Sequence, residues 1–547
     1  MGHKVPNGSP VAAQLPLIAA LQNPAVFDHP VSELRLLETH ISWVILTGEY
    51  VYKIKKAVDF GFLDYSTLEK RSFYCQEELR LNRRFAPQLY LDVVAISGSL
   101  ERPTLRAGGE PLEYAVRMKQ FPQSGLLSTL AANNTLTARH IDALALLVSG
   151  MHASVTIADE HSGAGLPDVI HHWVVENFEH IRPALREAQQ LQQLQQIEDW
   201  CRREFDAKQA VLEQRRRDGF VRECHGDLHL GNLTLIDGQI TPFDGIEFNP
   251  QLRWIDVISE LAFLVMDVRD RGYPRLAARL LNACLQHTGD YAGLAVLRYY
   301  LVYRALVRAK VAVLRLPQTR STLDQENVWY QYRSYMELAA SYVRPTSAAL
   351  IITHGVSGSG KSHHAARLAE RLDAIQVRSD VERKRLHGYA AAADTQSGIR
   401  EGIYSEDAGV RTYQRLAVLA RTVIAAGYPV IIDATFLQFV WREHFRQLSA
   451  SMDVPFVLLD FEADRETLYE RLRSRQSAGG DASEAGIEVL DAQLASQEPL
   501  MPGEMAAVLR VDASSDCSIK ELHGRLVEKI QALTAREVRA TGDVIDS

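Results

Sequence analysis

The chain has 547 residues, 46% of them hydrophobic and 23% charged, with a formal net charge of −8. That length predicts a few domains of roughly 100–200 residues each, and the composition is ordinary for a soluble globular protein, while the acidic balance speaks against a nucleic-acid footprint over the whole surface. The five cysteines Cys75, Cys201, Cys224, Cys284 and Cys517 are scattered, odd in number and form no CxxC pair, which argues against a disulfide framework or a zinc site and for a cytoplasmic protein.

Residues 1–29 begin with the polar run MGHKVPNGSPVAAQ and are expected to be a flexible segment. They lack the apolar stretch of a signal peptide, and Pro6 breaks a myristoylation signal. Thr39–Lys55 reads as a β-hairpin around Thr47-Gly48-Glu49. A helix follows over Ser66–Phe85, then strands near Tyr90–Ser97 and Glu113–Gln120. Beyond these the pattern turns helical, with Leu191, Leu194, Ile197 and Trp200 keeping a helical period until about Gly219. After a strand-turn-strand, helices run to about Tyr342. The apolar stretch Leu294–Leu316 is broken by Arg298, Arg304, Arg308, Lys310 and Arg315, so it reads as a buried amphipathic helix and not a membrane span. Residues 344–348 read as a linker between a domain at 30–343 and another at 349–547. In the latter, ALIITHG, IQVRSD, PVIIDAT, VPFVLLDF and AVLRVDA are strands separated by helical segments, which predicts a parallel sheet.

Two constellations carry chemistry. The first is HGDLHLGN at 225–232, followed by LTLIDGQITPFDG. Asp237-Gly238 suits a tight turn between two short strands. That hairpin brings Asn232, just before its first strand, to Asp244 at the end of its second, with Asp227 in the loop leading in. Phosphoryl transfer asks for this set: one carboxylate for the attacking hydroxyl, and a carboxylate with an amide oxygen for magnesium.

These residues resemble the aminoglycoside phosphotransferase family, a branch of the protein-kinase-like fold. The resemblance implies a small β lobe and a larger helical lobe over roughly residues 30–340. It implies that Asp227 is catalytic, that Asn232 and Asp244 (in Phe243-Asp244-Gly245) bind metal, and that His225 is structural. In VYKIKK it implies that Lys53 grips the ATP phosphates, with Lys55 as rival and Glu77 or Glu78 as the pairing acid. Glu113–Lys119 looks like the hinge that lines adenine. The three residues Thr47-Gly48-Glu49 stand where protein kinases have a longer glycine-rich loop.

The second constellation is Gly355-Val356-Ser357-Gly358-Ser359-Gly360-Lys361-Ser362, a full Walker A match between an apolar strand and a helix. Its backbone N–H groups are expected to face phosphate, with Lys361 as a point charge and Ser362 offering a hydroxyl to magnesium. Asp380 follows the next strand, with Arg383 three residues on. Asp433 closes the strand Val430-Ile431-Ile432, where its plain reading is an N-cap of the next helix. Arg471 and Arg475, four apart, share one helical face. This half resembles the small P-loop kinases of the polynucleotide-kinase, gluconate-kinase and zeta-toxin group. The resemblance implies a doubly wound parallel sheet, Asp380 as base, Arg383 as substrate-binding, Asp433 as a Walker B-like metal carboxylate or a substrate carboxylate, and Arg471 with Arg475 in a lid over the phosphates.

The whole order is similar to bacterial fusions of an aminoglycoside phosphotransferase with an ATP-binding protein. The sequence therefore predicts an α/β and α+β chain of two domains with two ATP and Mg2+ sites. Each transfers a phosphoryl group to a hydroxyl acceptor, a small molecule being favoured over nucleic acid. The alternatives are a nucleotide-dependent switch in which one domain only binds ATP, and a nucleic-acid 5′-end kinase in the second half.

Overall fold

The computed structural model describes residues 10–542 except 62, 106–107, 320, 391–392, 394–402, 404, 479–485 and 514–517. The chain opens with helix α1 (Pro10–Ala20) and strands β1 (Arg35–Glu38), β2 (Ser42–Leu46) and β3 (Tyr50–Lys55). Helix α2 (Leu68–Arg83) and strands β4 (Tyr90–Gly98), β5 (Pro103–Thr104) and β6 (Glu113–Lys119) follow. The strands form one antiparallel sheet in the order β1-β2-β3-β6-β4-β5. Thr67 caps α2, its side chain accepting the Lys70 N–H.

Of the segment expected to be flexible, residues 1–9 lie outside the described residues, and residues 10–29 are corrected by this sheet. Leu17, Ile18, Leu21 and Phe27 are buried against Trp43, Ile45, Tyr52 and Ile54 on one sheet face. Gln14 donates to Glu113 Oε2 at 2.6 Å and accepts the Ala57 N–H at 2.8 Å. The polar opening of the chain hides an apolar stripe, LPLIAAL, whose burial offsets the ordering cost. The structure also adds β1, so the sheet has two hairpin turns on either side of β2. Thr47-Gly48-Glu49 is the β2–β3 turn, and it is tied to Gln120 by Gly48 N–H to Oε1 (3.0 Å) and Gln120 N–H to the Glu49 carbonyl (2.9 Å). It is thus a turn anchored beside the end of β6.

Helices α3 (Leu127–Ala132), α4 (Ala138–Ser154), α5 (Pro167–Ile181) and α6 (Ala188–Arg217) come next. The small strands β7 (Val221–Glu223), β8 (Leu233–Ile236), β9 (Gln239–Pro242) and β10 (Trp254–Asp256) follow, with helices α7 (Pro250–Arg253) and α8 (Val257–Asp270). The β8–β9 hairpin turns at Asp237 and Gly238, both at positive φ (50° and 77°), as a type I′ turn requires. Helices α9 (Pro274–Thr288), α10 (Leu294–Leu314) and α11 (Thr322–Val343) lead to residues 344–348.

The remainder alternates strand and helix: β11 (Leu350–His354), α12 (Lys361–Leu372), β12 (Ile375–Arg378), α13 (Ser379–Leu386), α14 (Glu406–Ala425), β13 (Val430–Asp433), α15 (Phe439–Ser451), β14 (Phe456–Glu462), α16 (Arg465–Ala478), α17 (Ile487–Ser496), β15 (Val508–Asp512) and α18 (Ile519–Gly542). The five strands are all parallel in the order β12-β13-β11-β14-β15. Every residue of β11 is buried, as expected of a central parallel strand covered on both faces.

The chain gathers into two compact units. One holds residues 1–140, 150–173 and 212–267; the other holds 141–149, 174–211 and 268–547. The expected boundary at 344–348 does not separate them. Helix α9 packs on α12 and β12, and Asn282, Arg279 and Arg385 make the hydrogen bonds that join α9 to the parallel-sheet part. Among the described residues no helix is long and apolar enough to cross a membrane.

Candidate active sites

In the first unit, Lys53 and Lys55 share one face of β3 because side chains on a strand alternate. Both reach Glu78 on α2, at 2.8 Å each. Their second partners separate them. Lys53 also pairs with Asp244. Lys55 is buried and pairs with Glu247, which also accepts the Tyr65 hydroxyl. Of the two pairing acids proposed, Glu78 faces the lysines, while Glu77 bonds Arg80. Burial alone would raise the Glu78 pKa, but the two ammonium groups more than offset it and hold it down to about 2. Lys53 stands well above its ordinary value, because Asp244 and Glu78 outweigh the burial that opposes its charge.

Asp244 has φ +64°, uncommon for a residue with a side chain. Its N–H donates to the Tyr90 hydroxyl at 2.9 Å, and the Gly245 N–H to Asn82 Oδ1 at 2.8 Å. These bonds hold the turn that aims the carboxylate, whose side chain is 46% exposed. Asn232 Nδ2 donates to the Asp227 carbonyl (2.9 Å) and to Asp227 Oδ2 (3.0 Å), which leaves its amide oxygen as the ligand end. His225 bridges the two segments: Nε2 sits 2.9 Å from the Phe243 carbonyl, and Nδ1 accepts the Asp227 N–H at 3.4 Å. Burial lowers its pKa, which favours the neutral ring that an accepting Nδ1 requires.

The loop is pinned from α8 as well. Glu260 accepts the Gly226 N–H at 2.8 Å and bonds His152 Nε2 at 3.0 Å, and Asp267 accepts the Leu230 N–H at 2.9 Å. His152, Glu260 and Cys224 have ligand atoms within 4.8 Å of one another. The carboxylate is already engaged by the loop, and burial pushes the Cys224 thiol well above its ordinary pKa, so this cluster is a clamp on the loop. Tyr65, Tyr90, Asn82, Glu247, Glu260 and Asp267 were not anticipated. Only Glu247, three residues past Asp244, left a local sign; the others lie on distant elements.

In the second unit, the Gly-rich turn after β11 feeds α12. Gly360 stands at the N-cap with φ +84°, and a Cβ on Gly355 (φ +133°) would lie 2.6 Å from the Phe461 carbonyl, so both positions need glycine. A cavity of about 340 Å³ is lined by Ser357, Gly358, Gly360, Lys361, Ser362, Asp380, Arg383, Asp433 and Arg471, together with Arg378, Tyr413, Thr435 and Gln493. Ser359 is buried beneath the loop. Asp380 lies in the first turn of α13 rather than at the end of β12, and Arg383 Nη1 is 3.3 Å from its Oδ1. Asp433 does end β13; α15 begins only at Phe439, with Gln438 at its N-cap, so Asp433 is not a helix cap. Burial raises the Asp433 pKa against the pull of Arg378, the Ser362 hydroxyl and Lys361. Arg471 Nη2 donates to the Ala513 carbonyl at 2.6 Å, with Nη1 3.5 Å from the Gly358 carbonyl. The Arg475 side chain lies outside the described residues. Gln493 accepts the Ser357 N–H through Oε1 at 2.7 Å.

Both donor sets consist of hard oxygen ligands and fit a magnesium ion: Asp244 with Asn232, and Asp433 with Ser362. A cation beside Asp433 would supply the charge that its burial lacks.

Residues 350–500 match a family model described as an AAA domain. Uncharacterised proteins of Mycobacterium tuberculosis (strain ATCC 25618 / H37Rv) and Mycobacterium bovis (strain ATCC BAA-935 / AF2122/97) are each 28% identical over 461 residues, covering 84% of this chain and 89% of theirs. Among solved structures, a choline/ethanolamine kinase family protein from Mesorhizobium loti aligns over 60% of this chain and 98% of its own, at 10% identity and a TM-score of 0.37. A gluconokinase from Sinorhizobium meliloti 1021 aligns over 37% of this chain and 99% of its own, at 19% identity and a TM-score of 0.24.

Proposed function

We propose that the protein is an ATP-dependent phosphotransferase with two nucleotide sites, each transferring the γ-phosphoryl group to a hydroxyl acceptor. The observation that carries this reading is a shared arrangement. Each site sets a carboxylate suited to an acceptor hydroxyl beside a lysine and a second, metal-binding carboxylate. In the first unit these are Asp227, Lys53 and Asp244; in the second, Asp380, Lys361 and Asp433. Lys53 is preferred to Lys55 as the phosphate lysine, because Lys53 reaches Asp244 while Lys55 is used up in a buried network.

Asp227 orients the acceptor hydroxyl and takes its proton as the new bond forms. Asn232 and His225 keep it in place. In the second unit the loop amides and Lys361 hold the phosphates, Asp380 plays the part of Asp227, and Arg471 meets charge on the transferring group. When bound, magnesium neutralises phosphate charge and is held by Asp244 with Asn232, and by Asp433 with Ser362. Arg383 and Arg378 line the second cavity and are suited to positioning the acceptor.

Calorimetric titration with a non-hydrolysable ATP analogue and magnesium tests the reading. Two sites are expected in the wild type, and one after Lys361→Ala. A single site in the wild type would refute it.

A further inference from the structure

β12 is an edge strand whose sheet neighbour is β13. An edge strand turns a row of N–H and C=O groups away from its sheet, and these need other partners when buried. One pair of them is met by a single side chain. Asn282, on the buried face of α9, donates through Nδ2 to the Ala374 carbonyl at 3.0 Å and accepts the Gln376 N–H through Oδ1 at 2.7 Å. Its amide thus stands where a neighbouring strand would put a peptide group. Nδ2 also donates to the Ala278 carbonyl of its own helix at 3.0 Å, which fixes the rotamer.

The residue so held is itself a link. Gln376 is buried, and its Nε2 donates to Asp433 Oδ2 at 3.0 Å. The parallel register sets Gln376 opposite Ile431 and Arg378 opposite Asp433, so Gln376 and Arg378, two apart on β12, both reach the end of β13 from one side. Three hydrogen-bonded links therefore run from α9 to the carboxylate: Asn282, Gln376 and Asp433.

We propose that Asn282 is a positioning residue for the P-loop site: it fixes the backbone of β12 at Gln376, and through Gln376 it aims the carboxylate of Asp433. This rests on the reading of Asp433 as a metal carboxylate. Groups that orient a metal ligand from behind are worth about 10–100-fold in metal affinity. Helix α9 precedes residues 344–348, so chain outside the Walker A half helps to set the Walker A site.

The test uses the full-length protein. The quantity read is the magnesium concentration for half-maximal binding of AMP-PNP at the Lys361-dependent site. Asn282→Leu keeps the volume and removes the edge bonds; it is expected to raise that concentration about 10-fold. Gln376→Leu is expected to raise it at least as much. The double variant should be no worse than Gln376→Leu alone, because the route is already cut. Should Asn282→Leu not fold, Asn282→Asp keeps an acceptor for the Gln376 N–H and loses the donor to Ala374. It then serves in the same comparison and should show a smaller rise. A merely structural Asn282 would lower the melting temperature with wild-type magnesium dependence, or give effects that multiply in the double variant; either result overturns the proposal. Absence of Lys361-dependent nucleotide binding in the wild type would overturn the nucleotide reading and this one together.

Discussion

The two candidate sites reach similar chemistry by opposite construction. In the first unit the charged groups are already paired with one another: Lys53 joins Glu78 to Asp244, and Lys55 joins Glu78 to Glu247. Partners such as Lys53 and Asp244 lie 191 residues apart in the chain. In the second unit the glycine-rich loop is a single turn of backbone, and Lys361, Asp380, Asp433 and Arg471 line a cavity. The first site is thus part of what holds its unit together, whereas the groups of the second line a cavity beside the parallel sheet. Mutations should separate stability from activity differently in the two.

The largest expected effects are catalytic. Asp227→Asn and Asp380→Asn should each lower acceptor phosphorylation at their own site by about 10²–10⁴-fold while sparing nucleotide binding. Labelled-ATP transfer assays on each variant check this. If either variant silenced both sites, the two would not be independent centres.

Glu78→Gln should cost about 3–5 kcal/mol of stability, because it leaves two buried ammonium groups without their shared carboxylate. Lys361→Ala should cost far less, since its Nζ bonds the Val356 carbonyl of its own loop (2.7 Å) within a cavity. Denaturant unfolding of both variants measures the contrast, and equal losses would erase it.

Acid should expose the same difference. The folded pKa of Glu78 is lowered to about 2 from the ordinary 4.5, so its contribution is complete above pH 4.5 and is lost as pH falls toward 2. The denaturant midpoint of the wild type should drop through that window, and the drop should be shallower in Glu78→Gln. A parallel fall in both proteins would assign the acid sensitivity elsewhere.

The smallest effect expected is at Gln493. Its side chain holds the Ser357 N–H, a member of the phosphate loop. Gln493→Ala releases that donor and should tighten nucleotide binding at the second site by up to about 10-fold, the worth of one hydrogen bond. Calorimetry on the variant reads it directly. Weaker binding would instead make Gln493 a support for the loop.

The sequence by itself determined what is local. Gly355–Ser362 carries its own turn and helix start, because its glycines adopt positive φ without strain and the loop runs directly into a helix. The hairpin at Asp237-Gly238 brings Asn232 to Asp244 for the same reason, and the unbroken apolar runs of β11, β13 and β14 announced a parallel sheet. Only the tertiary structure decided what depends on partners remote in the chain. The choice between Lys53 and Lys55 turns on whether Asp244 or Glu247 lies opposite, and a period-2 strand pattern puts both lysines on one face without saying which acid each will meet. Residues 10–27 looked polar because their apolar stripe is short, and its burial depends on a sheet face built from residues further on. The role of α9 was equally hidden. Asn282 reads as one polar position on an amphipathic helix, and it becomes the partner of β12 only when packing carries that helix to the sheet edge.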